Sequence, residues 1–172
     1  MFTAAIDRTA GKPALYSDLE ASLRSLLDGE TDALANLANA AALLGETLDA
    51  INWCGFYLLK DGELVLGPFQ GKPACVRIPV GKGVCGTAAE RRETLVVPDV
   101  LAFPGHIACD AASRSEIVVP ILAAGRLVGV LDVDAPAPDR FDDEDRAGLE
   151  RFVRALEPAV AWETLVAPGS RP

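Results

Sequence analysis

The sequence predicts a single α+β domain in which helices pack against an antiparallel sheet, and three observations carry that reading. Two helical stretches with apolar stripes open the chain and a third closes it. Between them lie two strand pairs joined by turn signals, Asp61-Gly62 and Ala123-Ala124-Gly125-Arg126. The 172 residues contain no internal repeat and no linker, and that length suits one domain with a real core. Half of the residues are hydrophobic and 24% are charged, which is ordinary for a globular protein. A net charge of −9 with no basic stripe to offset it argues against nucleic acid or an anionic membrane as a partner. No basic n-region precedes an apolar h-region, and no apolar run approaches the ~18 residues of a membrane helix. The expected compartment is the cytoplasm, where cysteines stay reduced and a disulfide is usually transient and catalytic.

In chain order, residues 1–16 read as a polar lead. Ser17 and Glu20 then form a Ser-x-x-Glu capping box, which predicts a helix from Ser17 to Asp28 that stops at Gly29. A second helix is expected from about Thr31, with Leu34, Leu37, Ala38, Ala41, Leu44 and Leu48 as its buried stripe. Neither helix carries chemistry. They cover a sheet or pair with a second copy, so a homodimer is one of two readings.

Ile51 to Leu59 reads as a strand, and Asp61-Gly62 turns it into a partner over Glu63 to Phe69. Alternation puts Trp53, Gly55, Tyr57 and Leu59 on one face and Asn52, Cys54, Phe56 and Leu58 on the other. Two rings flanking a glycine are either core or the wall of a small apolar pocket. Cys54 faces away from them as a buried, inert thiol.

The stretch from Gly71 to Glu116 is least explained by packing. It holds three of the four cysteines, Cys75, Cys85 and Cys109, and the only histidine, His106. Cys75 leads a strand ending at Gly81-Lys82-Gly83. A helix over Val84 to Arg92 then sets Cys85 in its first turn, where the dipole and free N–H groups favour a thiolate, so Cys85 is the thiol expected to be most activated. The glycine pair lacks the Gly-Lys-Ser/Thr ending of a phosphate loop. After a short strand, Leu95 to Val97, a long loop from Pro98 to Ser115 carries His106 and Cys109, and loops of that length are usually functional.

Glu116 opens a strand whose hairpin partner ends in Asp132 and Asp134, which share a face because side chains alternate. For Glu116 to join them the hairpin loop must hold an odd number of residues, with a bulge at Gly125, since a two-residue loop would turn Glu116 away. The plain alternative is a solvated acidic face. Asp142 caps the last helix, with Leu149, Phe152, Val153, Leu156 and Val160 buried and Pro158 interrupting it. Residues 164–172 form an expected disordered tail.

Several runs carry a specific resemblance: Asn52-Trp53-Cys54-Gly55-Phe56-Tyr57, Gly83-Val84-Cys85-Gly86-Thr87-Ala88, Phe103-Pro104-Gly105-His106-Ile107-Ala108-Cys109-Asp110, Ser113-Arg114-Ser115-Glu116 and Leu131-Asp132-Val133-Asp134. Together they are similar to the free methionine-(R)-sulfoxide reductase family, a catalytic branch of the GAF domains, from about Tyr16 to Trp162. The resemblance implies a GAF-like domain over residues 17–163, with a six-stranded antiparallel sheet flanked by helices. It implies free L-methionine R-sulfoxide as substrate, thioredoxin as reductant and no cofactor. By the same resemblance Cys109 attacks, Cys75 resolves, and Glu116, Asp132 and Asp134 bind and polarise the sulfoxide oxygen, while Trp53 and Tyr57 cage the methyl group. Cys85 is left as an alternative resolver or, from its helix position, the nucleophile.

The chemistry asks for this set. A thiolate must attack sulfur while an acid protonates the departing oxygen, and a second thiol then turns the sulfenic acid into a disulfide. Three close carboxyl groups cannot all ionise cheaply, so at least one keeps a proton to donate. Two rivals stand against this reading. One is a noncatalytic GAF module that binds a small ligand or senses oxidants through cysteine. The other is a zinc site of Cys75, Cys85, Cys109 and His106, which the lack of a Cys-x-x-Cys pair disfavours, so no metal is expected.

Overall fold

The computed structural model describes residues 4, 6–107 and 110–166. The expected tail beyond residue 166 and the candidate nucleophile Cys109 lie outside them. Six strands form one antiparallel sheet: β1 (Trp53–Lys60), β2 (Glu63–Gly71), β3 (Arg77–Pro79), β4 (Leu95–Val97), β5 (Ser115–Ala123) and β6 (Arg126–Ala135), in the order β3-β2-β1-β6-β5-β4. Helices α1 (Lys12–Leu27), α2 (Ala33–Thr47) and α4 (Asp143–Leu156) pack on one face, and α3 (Gly83–Arg91) lies on the other. This is the expected α+β architecture. Among the described residues no helix is long and apolar enough to cross a membrane.

The alternation of β1 divides the core as anticipated. Cys54, Phe56 and Leu58 join the three-helix side, while Trp53 and Tyr57 join the α3 side. A sheet strand can only split its side chains this way when both faces are covered, which is why β1 is buried almost throughout.

The first helix begins at Lys12, not at Ser17. Pro13 occupies its first turn, where a missing N–H costs nothing, and no side chain caps it. The Ser17-Glu20 pair therefore sits inside the helix, one turn earlier being needed to seat buried Tyr16 against α4 at Gly148. In α2, Asp32 caps through a bond accepted from the Ala35 N–H. Its buried stripe contains Leu37, Ala41 and Leu44 but not Leu34, which is 57% exposed, nor Ala38; Ala33, Ala40 and Leu43 take those places. These stripes are buried within the chain, so the helices cover the sheet. Asp142 and Asp145 form the capping box of α4, which ends at Leu156 just ahead of Pro158.

Candidate active site

The site is built on three adjacent strands. Trp53 lies opposite Asp134 and Gly55 opposite Asp132 across β1 and β6, and Glu116 of β5 lies opposite Asp134. Rings and carboxyl groups thus share the face that α3 covers. The device that brings Glu116 there is not the odd-length loop. Ala123 pairs with Arg126, leaving the two-residue turn Ala124-Gly125 with both φ angles positive. That turn alone would point Glu116 at the helices. Parity is restored further along, where Ile121 pairs with Gly129 but Leu122 with Leu127, so that Val128 is a bulge.

Close approach fixes two glycines. A Cβ at Gly55 would collide with Phe69 of β2, and one at Gly86 would collide with the Pro79 carbonyl, so only glycine lets β2 and α3 come this near. The second approach lowers the start of α3 onto the acids, and Cys85 becomes buried with its thiol donating to Glu116 Oε1 at 3.7 Å.

Burial governs the electrostatics. Glu116 and Asp132 are 5% and 6% exposed. Loss of water lifts the Glu116 carboxyl well above its usual range, and the neighbouring Asp132 and Asp134 lift it further. Asp132 is pushed up to about 7, again by burial. Asp134 is raised well above the ordinary carboxyl range by burial and then by Asp132. The cluster therefore holds protons near neutral pH. Asp132 Oδ1 is buried with no hydrogen-bond partner among the described residues. The plain reading of a solvated acidic face is set aside.

The expectation for Cys85 is overturned by the same burial. Its thiol is in the first turn of α3, yet it is raised well above an ordinary thiol by loss of water and then by Asp132 and Glu116. Helix-terminus attraction, worth about 0.3–1 kcal/mol, cannot offset the desolvation of a fully buried thiolate beside carboxyl groups. Cys85 is a protonated donor here, not an activated nucleophile.

The rings close the other side. Trp53 stacks on Tyr57 with centroids 5.9 Å apart and on Phe69 at 5.4 Å. Their polar ends pin the segment ahead of β3: Trp53 Nε1 donates to the Lys72 carbonyl at 3.1 Å and the Tyr57 hydroxyl donates to the Cys75 carbonyl at 3.0 Å. Cys75 is half-buried against this cluster, just before β3 rather than within it. One hollow is lined by Cys85, Glu116, Asp132, Asp134 and His106, and a neighbouring one by Trp53, Tyr57, Asp132 and Asp134, with Asp110 shared.

Five residues at this site were not assigned to it from sequence. Asp110 is kept below the usual carboxylate range by the Ala112 N–H and by Lys72, whose ammonium is 3.1 Å away. The Asn52 amide donates to Asp110 and to Ser113 Oγ, tying the loop to β1. His106 Nε2 is 3.9 Å from Glu116 Oε2, and burial lowers its basicity, so it is a neutral neighbour. Their sequence signals were the Phe-Pro-Gly-His-Ile-Ala-Cys-Asp run that holds His106 and Asp110, and the runs that open at Asn52 and Ser113; Lys72 had none. Of the set weighed for zinc, Cys109 lies outside the described residues; among the described ones Cys85 groups with Glu116 and Asp132.

The profile of the GAF domain matches residues 32–160. The chain is 56% identical over 150 residues to the free methionine-R-sulfoxide reductase of Escherichia coli, covering 87% of this chain and 91% of that protein. It is 42% identical over 160 residues to the free methionine-R-sulfoxide reductase of Saccharomyces cerevisiae, covering 88% and 89%. Its fold superposes with a TM-score of 0.90 on the free methionine-R-sulfoxide reductase of Neisseria meningitidis in complex with its substrate, at 44% identity and covering 96% and 99% of the two chains.

Proposed function

The chain belongs to the free methionine-R-sulfoxide reductase family of GAF domains, and from that premise we propose that it reduces free L-methionine (R)-S-oxide to L-methionine by thiol chemistry. The observation that carries this reading is the convergence of three carboxyl groups, a buried thiol donor and stacked rings around two neighbouring hollows on one sheet face. A sulfoxide is a polar oxygen attached to a small apolar sulfur centre, and it needs those two environments side by side.

In this reading Cys109, assigned by family resemblance, attacks the substrate sulfur as a thiolate. Glu116, Asp132 and Asp134 supply the proton that the sulfoxide oxygen takes up, and Cys85 donates to the acid that polarises it. The cysteine sulfur is oxidised to the sulfenic acid as the substrate sulfur is reduced to the thioether. Cys75 then condenses with the sulfenic acid, releasing water and forming a disulfide. Its half-buried place next to Ala74, which lines the ring-side hollow, suits a group that must meet both the site and an external dithiol. Thioredoxin reduces the disulfide, which fits work in a reducing cytoplasm. Trp53 and Tyr57 hold the methyl group, and their orientation relative to Asp132 and Asp134 selects the R configuration.

The test is consumption of free methionine R-sulfoxide with a thioredoxin system. Turnover by the wild type that is abolished in Cys109→Ser is the expected result. Binding without turnover would instead support a noncatalytic GAF module, and activity surviving in Cys109→Ser would overturn the assignment of the nucleophile.

A further inference from the structure

We propose that Cys85, Glu116 and Asp132 form a site for a soft divalent cation, Zn2+ above all, and that the ion shuts the reductase off by taking the oxygens the sulfoxide would use. The blocking half rests on the function proposed above; the binding half does not.

Three observations carry the site. One donor atom from each of the three residues lies within 4.8 Å of the others, and all three residues are buried. Cys85 Sγ and Glu116 Oε1 are 3.7 Å apart. A tetrahedral zinc with its usual sulfur and oxygen bond lengths holds such a pair about 3.5 Å apart, so little movement is needed. Asp132 Oδ1 is buried, lines the hollow and has no hydrogen-bond partner among the described residues, which is the state of an oxygen waiting for a ligand. His106 lines the same hollow, with Nε2 3.9 Å from Glu116 Oε2, but stands outside the three-donor group. One sulfur and two carboxylate oxygens with a fourth position open to solvent form a zinc-type set, whereas Ca2+ and Mg2+ prefer oxygen alone and more of it.

Each ligand releases its proton to solvent as the ion binds, and no electron moves. The ion and the substrate oxygen then exclude one another because both need Asp132 and Glu116.

Reduced full-length protein titrated with Co2+, a spectroscopic stand-in, tests the binding half without turnover. The expected result is a thiolate-to-cobalt charge-transfer band that saturates at one equivalent and collapses on adding Zn2+. The band persists in a Cys75→Ser/Cys109→Ser double variant, is lost in Cys85→Ser, and needs about tenfold more cobalt or beyond in Asp132→Asn. A band that survives Cys85→Ser, or that vanishes in the double variant, overturns the site. Zn2+ is expected to inhibit wild-type turnover competitively with free methionine R-sulfoxide, and a noncompetitive pattern overturns the blocking role. A Cys85-dependent band in a chain that turns nothing over would leave the metal site standing and remove the proposed function; activity without the band would do the reverse.

Discussion

Asp145 and Asp132 are both buried aspartates, 1% and 6% exposed, on opposite sides of the molecule, and they are neutralised in opposite ways. Asp145, on the three-helix side, accepts from the Tyr16 hydroxyl at 2.8 Å, from Lys12 at 2.6 Å, from Arg140 at 3.2 Å and from the Asp142 N–H at 2.9 Å. Asp132, on the α3 side, has carboxyl groups and a thiol for neighbours, and one oxygen is left unpartnered. Fixed cations lock the first charge in place, which serves a joint between α1, α4 and the chain ahead of it. Protons neutralise the second, and a proton can be handed to a substrate. Burial alone therefore does not mark a functional acid; burial without a cation does.

The sharpest way to break this contrast is to remove an acid from each cluster. Glu116→Gln keeps the size and the hydrogen bonds but not the transferable proton. It is expected to lower kcat for sulfoxide reduction by about 10²–10⁴-fold with an unchanged circular dichroism spectrum. Asp145→Asn is expected to do the converse. Taking the buried carboxylate from Arg140, and leaving Lys12 with Asp142 alone, should cost about 3–5 kcal/mol in denaturant unfolding, while activity per folded molecule stays at the wild-type level. An Asp145→Asn protein that folds as well but turns over poorly would erase the distinction.

Stability against pH sharpens it further. Asp132 titrates at about 7 when folded against an ordinary 3.8, so between those values the folded state holds a proton that the unfolded chain has lost. Stability from this group is therefore fully present at low pH and declines as pH rises toward 7. Asp132→Asn removes this group's share of the decline and leaves the part due to burial of Glu116 and Asp134. The variant should be more stable than wild type by about 2–4 kcal/mol at pH 8 and nearly equal at pH 4, while losing activity. Parallel urea titrations at the two pH values read this directly, and equal gaps at both would show that the carboxyl carries no burial penalty. A substitution that stabilises at one buried aspartate and destabilises at another is what a division between function and architecture demands.

What the sequence disclosed follows the range of the forces involved. The two faces of β1 and the Asp61-Gly62 turn were legible because alternation and turn chemistry act over a few residues. The start of α1 was not, since the Ser17-Glu20 signal is local and the packing of Tyr16 on Gly148 is not. The position of Cys85 in its helix was legible, but its environment was not: the dipole belongs to α3 alone, whereas the opposing desolvation comes from β5 and β6 docking over it. The common face of the three acids depended on a bulge at Val128, which has no signature in an apolar strand. Asp110, Lys72 and Asn52 are isolated polar residues in sequence and become a network only once the loop folds back on β1.

The smallest expected effect tests the same division with sulfur in place of carboxyl groups. Cys54 and Cys85 are both buried thiols whose ionisation burial opposes, and Cys54 is pushed up to about 12. They differ in which side of the sheet they face. Cys54 Sγ lies 3.5 Å from the Ala41 carbonyl within the helix-side core. Replacing it by alanine deletes one sulfur's worth of packing, about 1 kcal/mol, and should leave kcat and KM for free methionine R-sulfoxide unchanged. Thermal melts and steady-state kinetics of Cys54→Ala measure both. A loss of turnover beyond about tenfold, which is about 1.4 kcal/mol at the transition state, would mean that the sheet transmits helix-side packing to the acids, and the two faces would have to be treated as one site.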